Sequence, residues 1–483
     1  MDKPFIKLFQ TPNNGYFLDV NKNEMLPISD SSFQYLSAVL DNTNRDGLDM
    51  PEELVKLKDQ GYLTSESSVK EVRHAYSNFL DLFLERKVGK ITLQVTQNCN
   101  FRCRYCIYTE KDNSNQRTHS TKRMSLVTAK DAVDFLWAHS VDSPRVNIGF
   151  YGGEPLLEFE LIKKIVGYAE ERFFGKKLSF TITTNGSLLT VEMVHFFQDH
   201  NISLMISLDG PKKINDKNRV FANGRGTFDT VMKKIELVKQ VAPDYAENLS
   251  ISMVMDPENE FDCINNICLE GAELDGLNLQ LSFIDHDFDD QRNTFSEEYA
   301  LKYRYQHFLA ILSHFKRFSE KLVSPITKKS IIKTLHKFDR ISPGAKLLTV
   351  DTPSGPCIPG QVRPMIDVSG KIFPCERVSE TSPAMCIGSI KNGFDLDKAT
   401  CILNVGQLTE SECRRCWCFR YCMQCAKKAD DGSGELSAKA RLSRCDESKA
   451  AACSDILQFL LFKELPVYYS NQIRTEHKEN EHL

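Results

Sequence analysis

Residues 90–106 read KITLQVTQNCNFRCRYC, and this stretch decides the fold. Its first half, Lys90–Thr96, alternates apolar and polar residues and predicts a strand. Three cysteines then follow at Cys99, Cys103 and Cys106, separated by three and then two residues. Thiolates in such a tight loop can hold three irons of a cubane iron–sulfur cluster and leave the fourth iron open. On spacing alone, a zinc knuckle with a remote fourth ligand is the alternative.

Composition limits the class of protein. The chain has 483 residues, enough for about three domains. A net charge of −4, from 61 basic and 65 acidic residues, predicts neither a nucleic-acid partner nor an anionic membrane surface. The first residues lack the basic and apolar regions of an export signal, and no run approaches a membrane span, so we expect a cytoplasmic protein.

The cysteines are numerous and unevenly spread. Of 16, three lie in the 90–106 stretch, two are Cys263 and Cys268, and eleven fall within 357–453. In a cytoplasmic protein, reduced thiols in clusters indicate metal binding rather than a disulfide framework.

Strand and helix patterns alternate through residues 88–300. Helical patterns such as Leu126–Ala138, Leu157–Phe174 and Phe228–Val241 separate the strand candidates. This order predicts a parallel sheet with crossover helices, an incomplete (β/α)6 barrel whose ligands lie at the carboxyl ends of the strands. The six predicted strands are Lys90–Thr96, Arg145–Tyr151, Leu178–Thr184, Ile202–Leu208, Leu249–Met255 and Leu277–Phe283.

Further motifs follow the predicted strand ends in order. Together with the cysteine spacing they resemble the radical S-adenosylmethionine (SAM) superfamily. The motifs are Gly152-Gly153-Glu154-Pro155, Thr183-Thr184-Asn185-Gly186, Ser207-Leu208-Asp209-Gly210-Pro211 and Asn218-Arg219. The resemblance implies a 4Fe–4S cluster on the three cysteines and SAM bound to its open iron.

The resemblance also implies roles for the motif residues. The glycine-rich motif would contact the SAM amino group, Ser207 and Asp209 the ribose and carboxylate region, and Arg219 the carboxylate. Its full set of SAM-binding residues is Tyr105, Gly152, Gly153, Glu154, Asn185, Ser207, Asp209 and Arg219.

The second cysteine field resembles the SPASM extension of radical SAM enzymes, which carries two auxiliary 4Fe–4S clusters. The near cluster would take Cys357, Cys375 and Cys425, without a fourth cysteine at the usual position upstream. Before Cys425 the family has three residues where this chain has two. The open position would suit a substrate thiolate, unless Cys386, Cys401, Cys418 or Cys453 fills it. The distal cluster would take Cys413, Cys416, Cys422 and Cys445.

Residues 1–85 predict a winged-helix-like α+β module. Strand candidates are Phe5–Gln10, Tyr16–Val20 and Glu24–Ile28, followed by a helix capped by Ser31 and another after Pro51. The module resembles the PqqD-like elements that bind a leader peptide by adding it as a strand to a sheet edge. The remaining predicted units are a radical SAM core (88–300), a helical connector (301–350), a SPASM domain (351–455) and a C-terminal helix and tail (456–483).

These resemblances together imply a maturase of ribosomally synthesised peptides. A 5′-deoxyadenosyl radical would abstract hydrogen from a leader-bearing, cysteine-rich precursor peptide, with a flavodoxin or ferredoxin as reductant. The preferred product is a cysteine thioether, and Glu376 matches the position of a base in one SPASM branch. The alternatives are carbon–carbon crosslinking or epimerisation, sulfatase-type maturation, and, without enzymatic activity, an iron–sulfur electron carrier or a peptide-binding adaptor.

Overall fold

The structure is a computed structural model. It describes residues 3–42, 49–110, 114–262, 264–265, 274, 277–287, 294–340 and 345–480, without the side chains of 337–340 and 467–480. Cys263 and Cys268 lie outside the described residues. Within the described helices, none is long and apolar enough to cross a membrane.

The N-terminal segment forms a three-stranded antiparallel sheet followed by two helices. Strands β1 (Ile6–Gln10), β2 (Gly15–Asp19) and β3 (Glu24–Ile28) pair in that order. Helix α1 (Asp30–Asp41) and helix α2 (Glu52–Asp59) follow. The three strands and the start of α2 after Pro51 agree with the sequence prediction.

The predicted cap of α1 was wrong by two residues. The Ser29 side chain, not that of Ser31, accepts the hydrogen bond from the Ser32 backbone N–H. Glu53 on α2 selects this arrangement, because both Ser29 and Ser32 donate their hydroxyls to its carboxylate at 2.7 and 2.5 Å.

A sheet of eight strands forms the centre of the molecule. Six parallel strands stand side by side in chain order, and each adjacent pair is joined through a helical crossover or connecting segment. Their apolar side chains pack in the largest core cluster. Along the last four of these strands, buried residues alternate with half-buried or exposed ones, so one face of the sheet is less covered there. The strands are β5 (Lys90–Thr96), β6 (Arg145–Gly152), β7 (Lys177–Thr184), β8 (Ile202–Ser207), β9 (Ser250–Met255) and β10 (Asn278–Phe283). All six agree with the prediction to within one residue at each end.

Helices precede, separate and follow these six strands. Serine and threonine side chains cap several of them, for example Ser125 and Thr190, which accept backbone hydrogen bonds in the first turn. The helices are α3 (Leu80–Arg86), α4 (Leu126–His139), α5 (Phe159–Arg172), α6 (Val191–Asp199), α7 (Lys212–Asn218), α8 (Phe228–Val241), α9 (Pro243–Ala246), α10 (Glu297–His314) and α11 (Pro325–Arg340).

The C-terminal third is hydrogen-bonded to the rest of the chain rather than set apart. A short hairpin, Met365–Ile366 and Ile372–Phe373, extends the central sheet beyond β5, and Val350–Asp351 pairs with Glu71–Val72. The remaining strands there are Gly388–Ser389 and Gly393–Phe394, and the helices are α12 (Leu396–Leu403), α13 (Glu410–Arg414), α14 (Ala438–Leu442) and α15 (Cys445–Asn480).

Helix α15 fixes the N-terminal sheet to the C-terminal third. Its Glu464 accepts hydrogen bonds from Thr11 Oγ1 at 2.7 Å, Asn14 Nδ2 at 2.9 Å and Tyr16 Oη at 2.7 Å. Phe9 meets Trp417 edge to face, with ring centroids 6.0 Å apart. The N-terminal sheet therefore lies directly against the cysteine-rich segment.

Candidate active site

The three cysteines of the first loop lie at the carboxyl end of β5, as the sequence predicts. Cys99, Cys103 and Cys106 are each partly exposed. Burial raises the pKa of Cys99 and Cys103 to about 12, and the neighbouring Cys106 thiolate raises both further. A bound metal cluster would favour the ionised form of all three thiols.

The spacing of these thiols suits a cluster better than a single ion. Across the described ranges, no group of three or more His, Cys, Asp or Glu side chains is placed to hold one metal ion. In a four-iron cluster each thiolate binds a different iron, so its ligands need not converge on one point. An all-thiolate donor set is also the usual one for such clusters.

Two glycines allow the end of β6 to approach the cysteine loop. A Cβ on Gly153 would lie 2.1 Å from the Asn98 carbonyl oxygen, and one on Gly152 would lie 2.2 Å from that of Thr96. Gly152 also has a φ of +148°, which disfavours side chains. The close approach that requires these two glycines is to the loop that carries Cys99. The contact of this motif with the SAM amino group stays a prediction.

We therefore expect Gly153→Ala to displace the cysteine loop. The added methyl group clashes with backbone atoms, which cannot rotate away, so the loop must shift. The purified variant should lose about four iron atoms per chain, one cluster's content, while its far-UV circular dichroism stays unchanged. Gly167→Ala on α5 is the matched control, because a Cβ there meets no atom within 4 Å. Full iron content in Gly153→Ala would contradict this account of the loop.

Glu154 and Asn185 connect the ends of β6 and β7 to this loop. The fully buried Glu154 carboxylate accepts hydrogen bonds from Thr184 Oγ1 at 2.5 Å, Asn185 N at 2.7 Å and Leu156 N at 3.0 Å. Burial raises its pKa to about 7 against the effect of these donors. Asn185 Nδ2 lies 4.0 Å from Cys99 Sγ and donates to Asn100 Oδ1 at 2.8 Å. In this arrangement Glu154 orders the two strand ends.

A buried ion pair lies beside the loop after β8. Asp209 Oδ2 accepts a hydrogen bond from Tyr105 Oη at 2.5 Å and lies 2.9 Å from Arg219 Nε. Burial acts to lower the pKa of Arg219, but the charges of Asp209, Tyr105 and Cys103 together outweigh it and the pKa is raised. The Arg219 Nε thus faces the Asp209 carboxylate at ion-pair distance. Ser207 ends β8 next to this group.

The near auxiliary cysteines come together from three separate segments. Burial raises the pKa of Cys357, and the neighbouring Cys375 and Cys425 raise it further. Gly355 permits this meeting, because a Cβ there would lie 2.1 Å from the Gln424 carbonyl oxygen. The two-residue spacing before Cys425 therefore still places this cysteine beside the other two.

The distal auxiliary cysteines line one cavity. Its volume is about 290 Å³, and Gln424, Arg441 and Lys449 also line it. The four cysteines that the sequence assigned to the distal cluster all take part: Cys413, Cys416, Cys422 and Cys445. A cavity lined by five thiols, Cys418 included, and a buried arginine is suited to an anionic thiolate-bound cluster.

The spare cysteines make separate contacts. Cys418 is buried and also lines the distal cavity, while Cys453 packs with the neighbouring apolar cluster. Cys386 donates to the Gly388 carbonyl at 3.6 Å, and Cys401 is exposed on α12.

Glu376 follows Cys375 but is held in an ion pair. Arg363 binds both of its carboxylate oxygens, through Nη2 and, at 3.1 Å, through Nε. A carboxylate paired in this way is a weaker base than a free one. The role of Glu376 as a base stays a prediction that this geometry does not favour.

Sequence reasoning missed another buried carboxylate, that of Glu380. The Glu380 side chain is 3% exposed; it accepts hydrogen bonds from Gln94 Nε2 at 2.7 Å and Arg117 Nε at 2.6 Å. The Arg117 guanidinium lies 3.9 Å from the Tyr108 ring centroid. Glu380 therefore joins the C-terminal third to β5 and to the segment after the first cysteine loop. Its partners are more than 250 residues away in sequence, so no local pattern could identify it.

Comparison with known proteins finds a match in the central part of the chain. Residues 93–267 match the model of the radical SAM superfamily. In solved structures, native anSMEcpe with bound AdoMet and Cp18Cys peptide has a similar fold, with a TM-score of 0.54 and 19% identity over 75% of this chain and 99% of that one.

Curated relatives match the same region. The radical SAM cyclopropyl synthase TigE of Paramaledivibacter caminithermalis is 25% identical over 39% of this chain and 39% of its own length. A cysteine-type anaerobic sulfatase-maturating enzyme of Clostridium novyi is 29% identical over 33% of this chain and 42% of its own length. The chain thus spans less than half the length of these relatives.

Proposed function

We propose that this protein is a radical SAM enzyme that modifies a ribosomally synthesised peptide, with a cysteine thioether as the preferred product. The observation that carries the proposal is the meeting of the Cys99, Cys103 and Cys106 loop with the buried Asp209–Arg219 pair at one edge of a parallel sheet. That edge is where ligands of such sheets bind.

The chain supplies both halves of a SAM site. The three cysteines would hold a 4Fe–4S cluster, which with SAM supplies one-electron reductive cleavage to methionine and a 5′-deoxyadenosyl radical. Arg219 would pair with the SAM carboxylate through its guanidinium, which Asp209 keeps oriented. Tyr105 donates to Asp209 and closes the site from the side of the cysteine loop.

The auxiliary cysteines support a peptide thiol as the substrate group. Cys357, Cys375 and Cys425 supply three thiolates to the near site, and a four-iron cluster there has one position left for a fourth. The spare cysteines make contacts elsewhere: Cys418 lines the distal cavity, Cys386 donates to Gly388, and Cys453 packs in an apolar cluster. The open position suits a substrate thiolate, the sulfur donor that a thioether requires.

The N-terminal sheet supports binding of a leader peptide. Strand β3 is an outer strand, and within the described residues β2 is its one partner. Strand addition at such an edge supplies main-chain hydrogen bonds for affinity. A proline in an edge strand has its nitrogen facing outward, and proline has no N–H. Pro27 therefore offers no hydrogen-bond donor to an added strand. The next outward donor is the backbone N–H of Met25, two residues earlier. We propose β3 as the edge where a leader-bearing precursor peptide adds.

The experiment that tests the radical reaction is anaerobic. Protein reconstituted with iron and sulfide is reduced with dithionite, SAM is added, and 5′-deoxyadenosine is measured by mass spectrometry. We expect 5′-deoxyadenosine together with about twelve iron atoms per chain, the content of three four-iron clusters. A full iron load without 5′-deoxyadenosine, also when a cysteine-rich peptide is supplied, would overturn the proposal and favour an electron carrier.

The peptide product distinguishes the maturase alternatives. A thioether removes two hydrogen atoms and protects one cysteine thiol from iodoacetamide. A carbon–carbon crosslink removes two hydrogens and leaves every thiol reactive, and epimerisation changes no mass but exchanges a Cα hydrogen with solvent deuterium. Sulfatase-type maturation would instead act on a peptide without a leader. A flavodoxin or ferredoxin is the proposed natural reductant, and replacing dithionite with either one tests it.

A further inference from the structure

Arg441 is a buried cation without a counter-ion. Its side chain is 2% exposed and lines the distal cavity. It forms no ion pair with any described residue: Nε donates to Thr409 Oγ1 at 3.0 Å, and Nη1 has no hydrogen-bond partner. An unpaired buried charge is costly to maintain unless an anion occupies the cavity.

Three arginines near the other predicted clusters form ion pairs. Arg219 pairs with Asp209 beside the first cysteine loop, and Arg117 pairs with Glu380. Arg363 pairs with Glu376 beside Cys375. Arg102, half-buried in the first cysteine loop, instead donates to the Cys99 and Phe101 carbonyls. In the distal cavity the lining carboxylate, Glu412, is exposed, and Arg441 forms no ion pair with it.

Arg441 is linked to the distal cysteines through Thr409 and through the cavity that it lines with them. Thr409 accepts from Arg441, so its own hydroxyl is free to donate to Cys413 Sγ, 3.2 Å away. Arg441 also lines the same cavity as Cys422 and Cys445. Charge and hydrogen bonds to sulfur are the levers by which a protein tunes a cluster.

We propose that Arg441, with Thr409, holds the distal cluster at a higher reduction potential than the near cluster and so makes it the electron sink of the protein. The inference rests on the proposed function for the presence of both clusters. Reduction adds one negative charge, which an uncompensated cation in a low-dielectric cavity stabilises. When one electron passes from the near cluster to the distal cluster, the near cluster loses that electron and the distal cluster gains it. The transfer therefore requires no further reactant.

The test is an anaerobic redox titration followed by electron paramagnetic resonance on the reconstituted full chain. Arg441→Met keeps the side-chain volume and removes the charge, and Arg441→Lys keeps the charge. Thr409→Val removes the hydroxyl next to Cys413 and keeps the shape. Lys439→Met is the matched control, because Lys439 is exposed on the same helix α14 and water screens its charge.

We expect Arg441→Met to lower the potential of one cluster, changing its reduction equilibrium at least tenfold, which is about 59 mV for one electron. The other two potentials should stay in place, Thr409→Val should shift the same signal in the same direction, and Lys439→Met should shift none. If Arg441→Met does not bind iron, Thr409→Val and Arg441→Lys carry the test. Three unchanged potentials in iron-loaded variants would overturn this inference alone, whereas a wild-type protein without iron–sulfur clusters would overturn the proposed function.

Discussion

Replacing Cys99, Cys103 and Cys106 together by alanine is expected to abolish 5′-deoxyadenosine formation and to remove about four of about twelve iron atoms per chain. The three thiols share one loop at the end of β5, where burial raises the pKa of Cys99 and Cys103, and a bound metal cluster would favour the ionised form of all three. Without them, SAM has no open iron to bind. Iron analysis, electron paramagnetic resonance and mass spectrometry on one anaerobic preparation measure both losses.

The matched control replaces three cysteines outside the assigned sets. Cys386, Cys401 and Cys453 changed to alanine should leave about twelve irons and full 5′-deoxyadenosine formation, because none of them is assigned to a cluster. A loss of iron in this control would identify one of them as a fourth ligand of the near cluster. Continued 5′-deoxyadenosine formation in the Cys99, Cys103 and Cys106 variant would refute the assignment of the SAM-binding cluster.

The central sheet was predictable because local patterns and global topology agree there. The strands alternate apolar and polar residues, and the first four are followed by a cysteine, glycine-rich or polar motif. Parallel strands bring their carboxyl ends to one edge, so motifs that are distant in sequence must meet. This topology predicts Cys99, Asn185 and Asp209 at that edge. In the structure Asn185 Nδ2 lies 4.0 Å from Cys99 Sγ, and Tyr105 donates to Asp209.

The features that sequence reasoning missed depend on partners far along the chain. Ser29 and Ser31 are equally good caps by chemistry, and Glu53 on another helix decides between them. Glu380 is an ordinary charged residue until Gln94 and Arg117 enclose it. Arg441 is unusual because no carboxylate among the described residues pairs with it. This is a property of three-dimensional packing that the local sequence does not show.

Arg219→Met is expected to weaken SAM binding by roughly 30- to 1,000-fold, the equivalent of about 2–4 kcal/mol for truncating one partner of a buried charge pair. In the structure the Arg219 side chain is buried, and its Nε lies 2.9 Å from Asp209 Oδ2. We propose that the guanidinium also meets the SAM carboxylate. Affinity is measured by the change that SAM causes in the electron paramagnetic resonance spectrum of the reduced protein. Arg225→Met is the control, because Arg225 is exposed nearby.

A second variant separates ligand binding from structural pairing. Arg219→Met alone leaves the Asp209 carboxylate buried without its counter-ion, which costs about 3–5 kcal/mol and weakens binding whatever Arg219 does to SAM. Adding Asp209→Asn removes that unpaired charge and should recover stability toward urea. If Arg219 binds the ligand carboxylate, the double variant still binds SAM at least tenfold more weakly than Asp209→Asn alone. Equal affinities would show that Arg219 serves Asp209 and that another group receives SAM.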